Sequence, residues 1–287
     1  MSPRGALPGD NEQRADARKT PEFLRRLASA FVLAAIALGA VIASPWTFLV
    51  LVIAGGAVLT WEWGRLTRGA NFDSVTAIGS AGVAAVALLV TLGRPGLALA
   101  ALAVTALAIV LASLRHTSLA WAIAGLAYTA LPAWALVWLR ADPDLGLAAI
   151  LFLFAVAWTT DTASYAGGRA LGGPTLAPQI SPKKTWSGFI VGTLTPALVG
   201  YAFALLLGGT SAWRLAVISI ALALACQMGD LIESAVKRHF GAKDMSQLIP
   251  GHGGLFDRID SLLLASVVAG LIALRNPAHP GAGLLIW

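Results

Sequence analysis

Apolar and polar residues follow one another along this chain in long blocks. Runs of about 17–25 apolar residues are long enough to cross the hydrocarbon core of a bilayer as helices. Such runs are predicted at 27–43, 46–63, 75–92, 97–114, 119–139, 147–166, 188–208, 213–233 and 255–274. Glycine and proline separate several of them, as at Gly93-Arg94-Pro95-Gly96, where a helix is expected to end. The pattern therefore predicts an all-α, polytopic membrane bundle of about nine transmembrane helices.

The composition supports a membrane protein. Hydrophobic residues make up 57% of the chain and charged residues 12%, with a mean hydropathy of +0.77. A soluble domain is nearer to about 45–50% apolar with about 25% charged residues. Cys226 is the single cysteine, which excludes an intrachain disulfide or a multi-cysteine metal site.

Positive charge is unevenly divided between the two sides that nine spans would create. If the N-terminus is cytoplasmic, all but four of the 20 lysines and arginines fall on the cytoplasmic side. The four on the other side are Arg94, Arg140, Arg214 and Arg275. This excess is typical of cytoplasmic loops and predicts a cytoplasmic N-terminus. We expect residues 1–26 to be a disordered basic cytoplasmic tail and not a cleaved signal peptide. The net charge of +6 is then explained by topology and an anion site, without nucleic-acid binding.

We divide the rest of the chain into N-terminal transmembrane helices at 27–145 and a catalytic transmembrane region at 146–287. The catalytic region contains two polar cytoplasmic loops, 161–188 and 230–260. Ionisable groups close to a bilayer are costly and are usually functional. Carboxylates beside lysines and arginines suit a divalent cation that holds phosphates.

The second loop contains the densest group of charges. At the end of the eighth span, Asp230, Ser234 and Lys237 share one helix face. After a glycine-rich turn, a new helix places Asp257 and Asp260 on one face. We interpret Asp230 and Asp257 as functional carboxylates, and Asp257 as a metal ligand. The alternatives are an Asp230–Lys237 or Glu233–Lys237 structural pair and simple capping of the new helix.

The first loop contains a second polar group. Asp161 ends an apolar helix with hydroxyl residues beside it, and Ser181, Lys183, Lys184 and Thr185 precede another helix. Lysines and hydroxyls at a helix N-terminus suit a triphosphate or a lipid phosphate. The alternative is that the lysines only set topology next to anionic headgroups.

Several chemistries lack their sequence motifs. The chain has no GxxxxGK[ST], HExxH or CxxC pattern and no credible GxSxG elbow. Metal-assisted phosphoryl or nucleotidyl transfer needs no protein nucleophile, only positioning and neutralisation of charge. That class of reaction fits the residues present.

The stretch SAVKR-x4-KD-x-S-x2-IPGHGGLFDRID, at 234–260, resembles the signature of the phosphatidate cytidylyltransferases, or CDP-diacylglycerol synthases. The upstream DTASYAGGRALGG and ISPKKTWSG, within 161–188, resemble the second motif of that family. Two positions depart from the family pattern. Ser187 stands where the family usually has a glutamate, and Gly172-Gly173-Pro174 stands where a basic residue is expected.

The resemblance implies conversion of CTP and phosphatidate into CDP-diacylglycerol and pyrophosphate, with Mg²⁺ held by Asp230 and Asp257. Asp161 and Asp260 are further candidate ligands. The residues expected to be catalytic are Asp230, Asp257, Lys237 and Lys243. Those expected to bind substrate are Ser181, Lys183, Lys184, Thr185, Ser234, Arg238, His252, Gly253, Gly254 and Arg258.

The predicted location is the inner membrane, with the active site on the cytoplasmic side. A CTP-dependent polyprenol or lipid kinase is the main alternative, since it would share basic loops and Mg²⁺. A transporter of an anionic solute is less favoured, because the chain lacks the inverted repeats that such a fold would show. The sequence does not give the oligomeric state, and a homodimer is one possibility.

Overall fold

A computed structural model describes Ser29 and residues 31–69, 71–113, 119–249 and 253–287 of the protein. Its elements are α1 (Phe31–Ala43), α2 (Pro45–Arg68), α3 (Ser74–Thr91), α4 (Pro95–Ser113), α5 (Leu119–Arg140), α6 (Gly146–Leu171), β1 (Thr175–Ala177), β2 (Ser181–Thr185), α7 (Trp186–Leu194), α8 (Pro196–Leu207), α9 (Ala212–His239), α10 (Phe256–Ala273) and α11 (Pro280–Leu285). The predicted all-α class is confirmed, with one small antiparallel hairpin, β1–β2, added to it. The predicted tail at 1–26 lies outside the described residues.

Seven helical stretches in the described ranges are long and apolar enough to cross a membrane. They are α2, α3, α4, α5, α6, the α7–α8 pair and α9. The described part of α1 is apolar but shorter, and the first turns of α10 contain three charged residues. The protein is therefore a multi-pass membrane protein. The count of nine spans and the cytoplasmic N-terminus stay predictions.

The predicted span at 188–208 consists of two helices. α7 ends at Leu194 and α8 begins at Pro196, because a proline has no N–H to continue the hydrogen-bond ladder. Thr195 between them keeps helical dihedral angles, with φ −59° and ψ −39°. The two helices therefore continue each other as one interrupted segment.

The centre of the bundle is formed around α6, which packs against α5, α7, α8, α9 and α10. Ile150, Phe152 and Leu153 of this helix are fully buried. Large apolar side chains of α8, including Leu198 and Leu206, are exposed at the outer surface. Such side chains suit contact with lipid, and the helices are held together mainly by van der Waals packing, since lipid tails are as apolar as leucine.

The short connection between α2 and α3 is fixed by an ion pair. Arg68 Nε donates to Asp73 Oδ2 at 2.6 Å, and Asp73 Oδ1 accepts from the Thr76 N–H at 2.7 Å, which caps α3. Burial alone would raise the pKa of Asp73, but hydrogen bonds from Arg68 and Thr76 outweigh it and lower the pKa to about 2. The connection thereby holds α2 and α3 side by side.

The antiparallel order of the helices brings several polar helix ends together. If each span crosses once, the ends of α2, α6 and α9 lie on the same side as the beginnings of α7 and α10. The two polar segments predicted as functional loops, 161–188 and 230–260, lie at that side, but they are not loops throughout. The predicted helix end at Asp161 is wrong, since α6 continues to Leu171, and the second segment begins within α9, which ends at His239, and finishes within α10.

Candidate active site

Three carboxylates form a cluster where α9 crosses α10. Asp230 and Glu233 lie one turn apart on α9, and Asp260 comes from α10. One carboxylate oxygen from each lies within 4.8 Å of the other two. Gly229 allows this crossing, because a Cβ at that position would lie 2.6 Å from the carbonyl oxygen of Asp260. The two helices thus bring predicted residues Asp230 and Asp260 together.

Glu233 shows that this cluster suits a cation. Its residue is 2% exposed, and neither carboxylate oxygen makes a hydrogen bond of good geometry with a described residue. Lys237 Nζ lies 2.6 Å from Glu233 Oε2, so the charge is partly compensated, but the second oxygen, Oε1, is not satisfied. A buried carboxylate without a partner is costly, and hard divalent cations prefer oxygen ligands. Asp230, Glu233 and Asp260 could hold such an ion.

Asp257 lies beside this cluster with its oxygens already engaged. Lys237 Nζ lies 2.6 Å from Asp257 Oδ1 as well as from Glu233. Asp257 Oδ2 accepts from the Met245 N–H at 2.9 Å and the Gly254 N–H at 2.8 Å. The structure therefore pairs Asp257 with Lys237 and the loop, whereas the clustered carboxylates are those of Asp230, Glu233 and Asp260. The Glu233–Lys237 pair, considered above only as a structural alternative, is present.

The β1–β2 hairpin brings the first loop to the second. Lys184 Nζ lies 2.5 Å from Asp230 Oδ2, across the gap between β2 and α9. Lys183, one position earlier on the strand, is exposed. Thr185 caps α7, since its Oγ1 accepts from the Gly188 N–H at 3.1 Å. Lys184 is therefore the lysine of this loop that the fold places against the acidic cluster.

The remaining predicted residues lie around these groups. Ser234 Oγ lies 3.4 Å from Asp230 Oδ1, and Asp161 Oδ2 accepts from Ser261 Oγ at 3.2 Å. Arg238 donates to the backbone carbonyls of Ile180, at 3.3 Å, and Ala242, at 3.0 Å, so it ties the hairpin to the end of α9. Ser181 is half-buried on β2, and Lys243 and Arg258 are exposed. The carbonyl of Gly253 accepts from the Ile249 N–H. His252, also predicted to bind substrate, lies outside the described residues.

An apolar cavity of about 390 Å³ lies within the bundle and reaches Ser261, the neighbour of Asp260 along α10. Its walls come from α1, α2, α5, α6 and α10, with Phe48, Leu136 and Phe154 among the lining residues. Asp161 and Arg258 also line it, next to the otherwise apolar surface. The cavity therefore joins a hydrophobic space to the polar end of the bundle.

Sequence reasoning missed Glu62 of α2. Its side chain is fully buried, and its oxygens accept hydrogen bonds from the backbone of Leu255 and Phe256 at the start of α10. Its signal in the sequence was a lone acid inside an apolar run, in Trp61-Glu62-Trp63. An intramembrane acid is functional by default, so this residue could have been marked from the sequence.

A helical membrane bundle with carboxylates and lysines gathered at one end is the arrangement expected of a membrane-bound transferase acting on phosphates. The chain belongs to the cytidylyltransferase family, whose family model matches residues 24–274. Among relatives, the phosphatidate cytidylyltransferase of Brucella suis is 39% identical over 261 residues, which cover 90% of this chain and 96% of that protein. The phosphatidate cytidylyltransferase of Brucella abortus is 39% identical over 245 residues, covering 85% and 90% of the two chains. That of Haemophilus influenzae is 43% identical over 129 residues, covering 43% and 45%.

Proposed function

We propose that the protein is a phosphatidate cytidylyltransferase of the inner membrane, which makes CDP-diacylglycerol from CTP and phosphatidate. A phosphate oxygen of the lipid attacks the α-phosphorus of CTP and forms the new O–P bond. The bond between the α-phosphorus and the oxygen bridging to the β-phosphate breaks, and pyrophosphate leaves. The Brucella suis relative, similar along most of both chains, supports this reaction.

The acidic cluster is the observation that carries the proposal. Asp230, Glu233 and Asp260 offer three carboxylate oxygens close together, and the buried Glu233, although paired with Lys237 through Oε2, has no hydrogen-bond partner for Oε1 among the described residues. We assign these three residues as the holders of Mg²⁺. When bound, Mg²⁺ would neutralise the negative charge of the phosphates and so favour the attack.

The lysines around the cluster have distinct roles in this proposal. Lys184 sits on the hairpin against Asp230 and can move its charge to a nucleotide phosphate when substrate enters. Lys237 forms ion pairs with both Glu233 and Asp257 and is therefore fixed in place. Its positive charge lies next to the acidic cluster. Fixed charges of this kind stabilise negative charge that develops in the transition state without reorganisation.

The apolar cavity supports a lipid acceptor. Its apolar lining, its position within the helical bundle and its polar edge at Asp161 and Arg258 suit the part of a diacylglycerol next to its phosphate. A substrate with both a hydrocarbon part and an anionic headgroup has matching surfaces here. The unequal distribution of lysines and arginines supports a cytoplasmic location of this end, where CTP is available.

Purified protein in detergent, given phosphatidate and CTP with and without Mg²⁺, tests the proposal. We expect CDP-diacylglycerol and pyrophosphate in equal amounts, only when Mg²⁺ is present. A polyprenol offered in place of phosphatidate is the second arm. Formation of polyprenyl phosphate and CDP, with no CDP-diacylglycerol in the first arm, would replace the proposal by a CTP-dependent lipid kinase.

A further inference from the structure

Glu62 of α2 connects the N-terminal helices to the start of α10, whose residues lie nearly two hundred positions further along the chain. Its Oε1 accepts from the Leu255 N–H at 2.9 Å and from Ser246 Oγ at 2.6 Å. Its Oε2 accepts from the Phe256 N–H at 2.7 Å. The side chain is 0% exposed, so these hydrogen bonds are made without competing water.

The contacts of Glu62 are at the first turn of α10. The first N–H groups of a helix have no partner within the helix, and a carboxylate placed there accepts from them and complements the helix dipole. Leu255 caps α10 without any side-chain hydrogen bond of its own. Glu62 therefore supplies from α2 an acceptor for the N–H groups of Leu255 and Phe256, which the apolar side chain of the N-cap residue Leu255 cannot provide.

The same turn of α10 carries the acidic residues of the site. Asp257 follows Phe256 directly, and Asp260 lies one turn further. The loop is attached at two neighbouring points, because the Met245 N–H donates to Asp257 and the Ser246 hydroxyl donates to Glu62. A shift of this turn would move Asp257 relative to Lys237 and Asp260 relative to Asp230 at the same time.

Close packing around the carboxylate fixes its position. A Cβ at Gly254 would overlap the Glu62 carboxylate, so only glycine lets the loop backbone approach it this closely. On the other side, the ring of Phe256 packs against two aromatic rings. Its centroid lies 5.4 Å from that of Tyr128 and 5.9 Å from that of Trp63, the neighbour of Glu62. The carboxylate thus has little room to reorient.

We propose that Glu62 is a positioning residue, which holds the first turn of α10 so that Asp260 meets Asp230 and Glu233 in a cation-binding geometry. Both of its oxygens are engaged by Ser246, Leu255 and Phe256, so it acts through α10 and not as a ligand of the cation. Its role in turnover rests on the proposed cytidylyltransferase function, whereas its role in arranging the carboxylates does not.

Glu62→Gln is the variant that tests this role, because it keeps the size of the side chain. The amide NH₂ group would replace one carboxylate oxygen. Its N–H groups would then face N–H or O–H donors that now give hydrogen bonds to that oxygen. Thr60→Val is the matched control on the same helix. The Thr60 hydroxyl donates at 2.8 Å to Gly56 within α2, so its removal leaves α10 untouched.

Two measurements on purified protein distinguish positioning from mere stabilisation. The first is titration of metal-stripped protein with Mn²⁺, followed by electron paramagnetic resonance without substrate, at a temperature where every variant is folded. The second is kcat and KM for CTP at saturating Mg²⁺. We expect Glu62→Gln to bind Mn²⁺ about 10–100-fold more weakly, the range for lost outer-sphere partners, and to lower kcat more than it raises KM. Thr60→Val should match the unaltered protein in both.

Wild-type Mn²⁺ affinity in folded Glu62→Gln would overturn the proposal, whatever the effect on unfolding temperature. If Glu62→Gln does not fold, Glu62→Asp decides, since it keeps the charge but draws the carboxylate back by one methylene from the N–H groups of Leu255 and Phe256. A several-fold weaker affinity in Glu62→Asp supports the role, and an unchanged affinity overturns it. Absence of CDP-diacylglycerol from the unaltered protein would reject the proposed function, while the Mn²⁺ titration would still decide the role of Glu62.

Discussion

Lys184 Nζ lies 2.5 Å from Asp230 Oδ2, and this pair joins the two polar loops of the protein. Their side chains are 26% and 35% exposed, respectively. An ion pair with that much exposure contributes only about 0–1 kcal/mol to stability, so it does little to hold the fold together. Its consequence is local, because a positive charge lies at the edge of the acidic cluster, where an incoming phosphate can compete for it.

Lys184→Met should therefore lower activity without unfolding the protein. We expect kcat/KM for CTP to fall about 100-fold, the typical cost of losing one group that stabilises transition-state charge. The unfolding temperature in detergent should change by no more than a few degrees. Steady-state kinetics at several CTP concentrations and a thermal unfolding curve measure the two effects.

Lys183→Met is the matched control for this experiment. Lys183 and Lys184 are neighbours on β2, and successive side chains of a strand point to opposite faces. Lys183→Met should keep most of the activity. Equal losses in both variants would contradict a specific role for Lys184 and would point to a general effect of positive charge near the membrane.

Asp257 and Asp260 should respond differently to removal of their charge. Asp257→Asn leaves Lys237 with a weakened partner and loosens two backbone hydrogen bonds, so we expect it to destabilise the protein by about 3–5 kcal/mol, as for a broken buried ion pair. Asp260→Asn removes a carboxylate from a crowded acidic cluster, so the protein should be as stable as before, or more stable. Chemical unfolding in mixed micelles gives both free energies.

For cation binding we expect the opposite order, with a larger effect of Asp260→Asn than of Asp257→Asn. Asp260→Asn is expected to raise the Mg²⁺ concentration for half-maximal activity far more than it affects folding. A result in which Asp257→Asn is fully stable but has lost cation binding would restore Asp257 as a direct ligand.

The sequence predicted the membrane class because apolar run length is a local property. Each of the nine predicted runs corresponds to helix in the described residues, although Pro196 interrupts one of them. The hairpin at 175–185 was not predicted. It consists of short strands whose partners are set by the turn at Pro178–Gln179, and strands this short leave no periodic pattern to read.

The carboxylate cluster forms because α9 and α10 cross, and the spacing of residues along one helix cannot predict such a crossing. Asp230 and Glu233 share a turn of α9, but only the crossing at Gly229 determines that Asp260 joins them. The choice between Asp257 and Asp260 therefore could not be made from the sequence, where both follow the same glycine-rich turn. Glu62 could have been marked as a lone acid in an apolar run, but its partners at the start of α10 lie far along the chain and could not be read from the sequence.

Narrowing the apolar cavity should alter the choice of lipid. Gly55 lines the cavity, and a Cβ there would have its nearest neighbour, Leu255 Cδ2, at 4.0 Å, so a larger side chain would extend into open space. We expect Gly55→Leu to lower kcat/KM for long-chain phosphatidate about tenfold or more, the scale for changes of a few methylenes in an apolar pocket. Short-chain phosphatidate should be used almost as before.

Gly39→Leu is the control for this change, because it adds the same side chain at an exposed position with nothing within 4 Å of its Cβ. It should leave the kinetics with both lipids unchanged. Equal loss for long and short chains in Gly55→Leu would mean that the cavity does not hold the acyl chains.

The two departures from the family pattern lie in contact with each other, which leads to a last prediction. Ser187 Oγ donates to the carbonyl of Gly172 and lies 3.0 Å from Thr185 Oγ1, so it holds the start of α7 to the end of α6. A glutamate at 187 has no donor for that carbonyl. We expect Ser187→Ala and Ser187→Glu to lower kcat/KM by a similar factor of about three to ten, equivalent to the roughly 1 kcal/mol of one hydrogen bond. Higher activity in Ser187→Glu than in the unaltered protein would instead show that the missing acid itself takes part in the reaction.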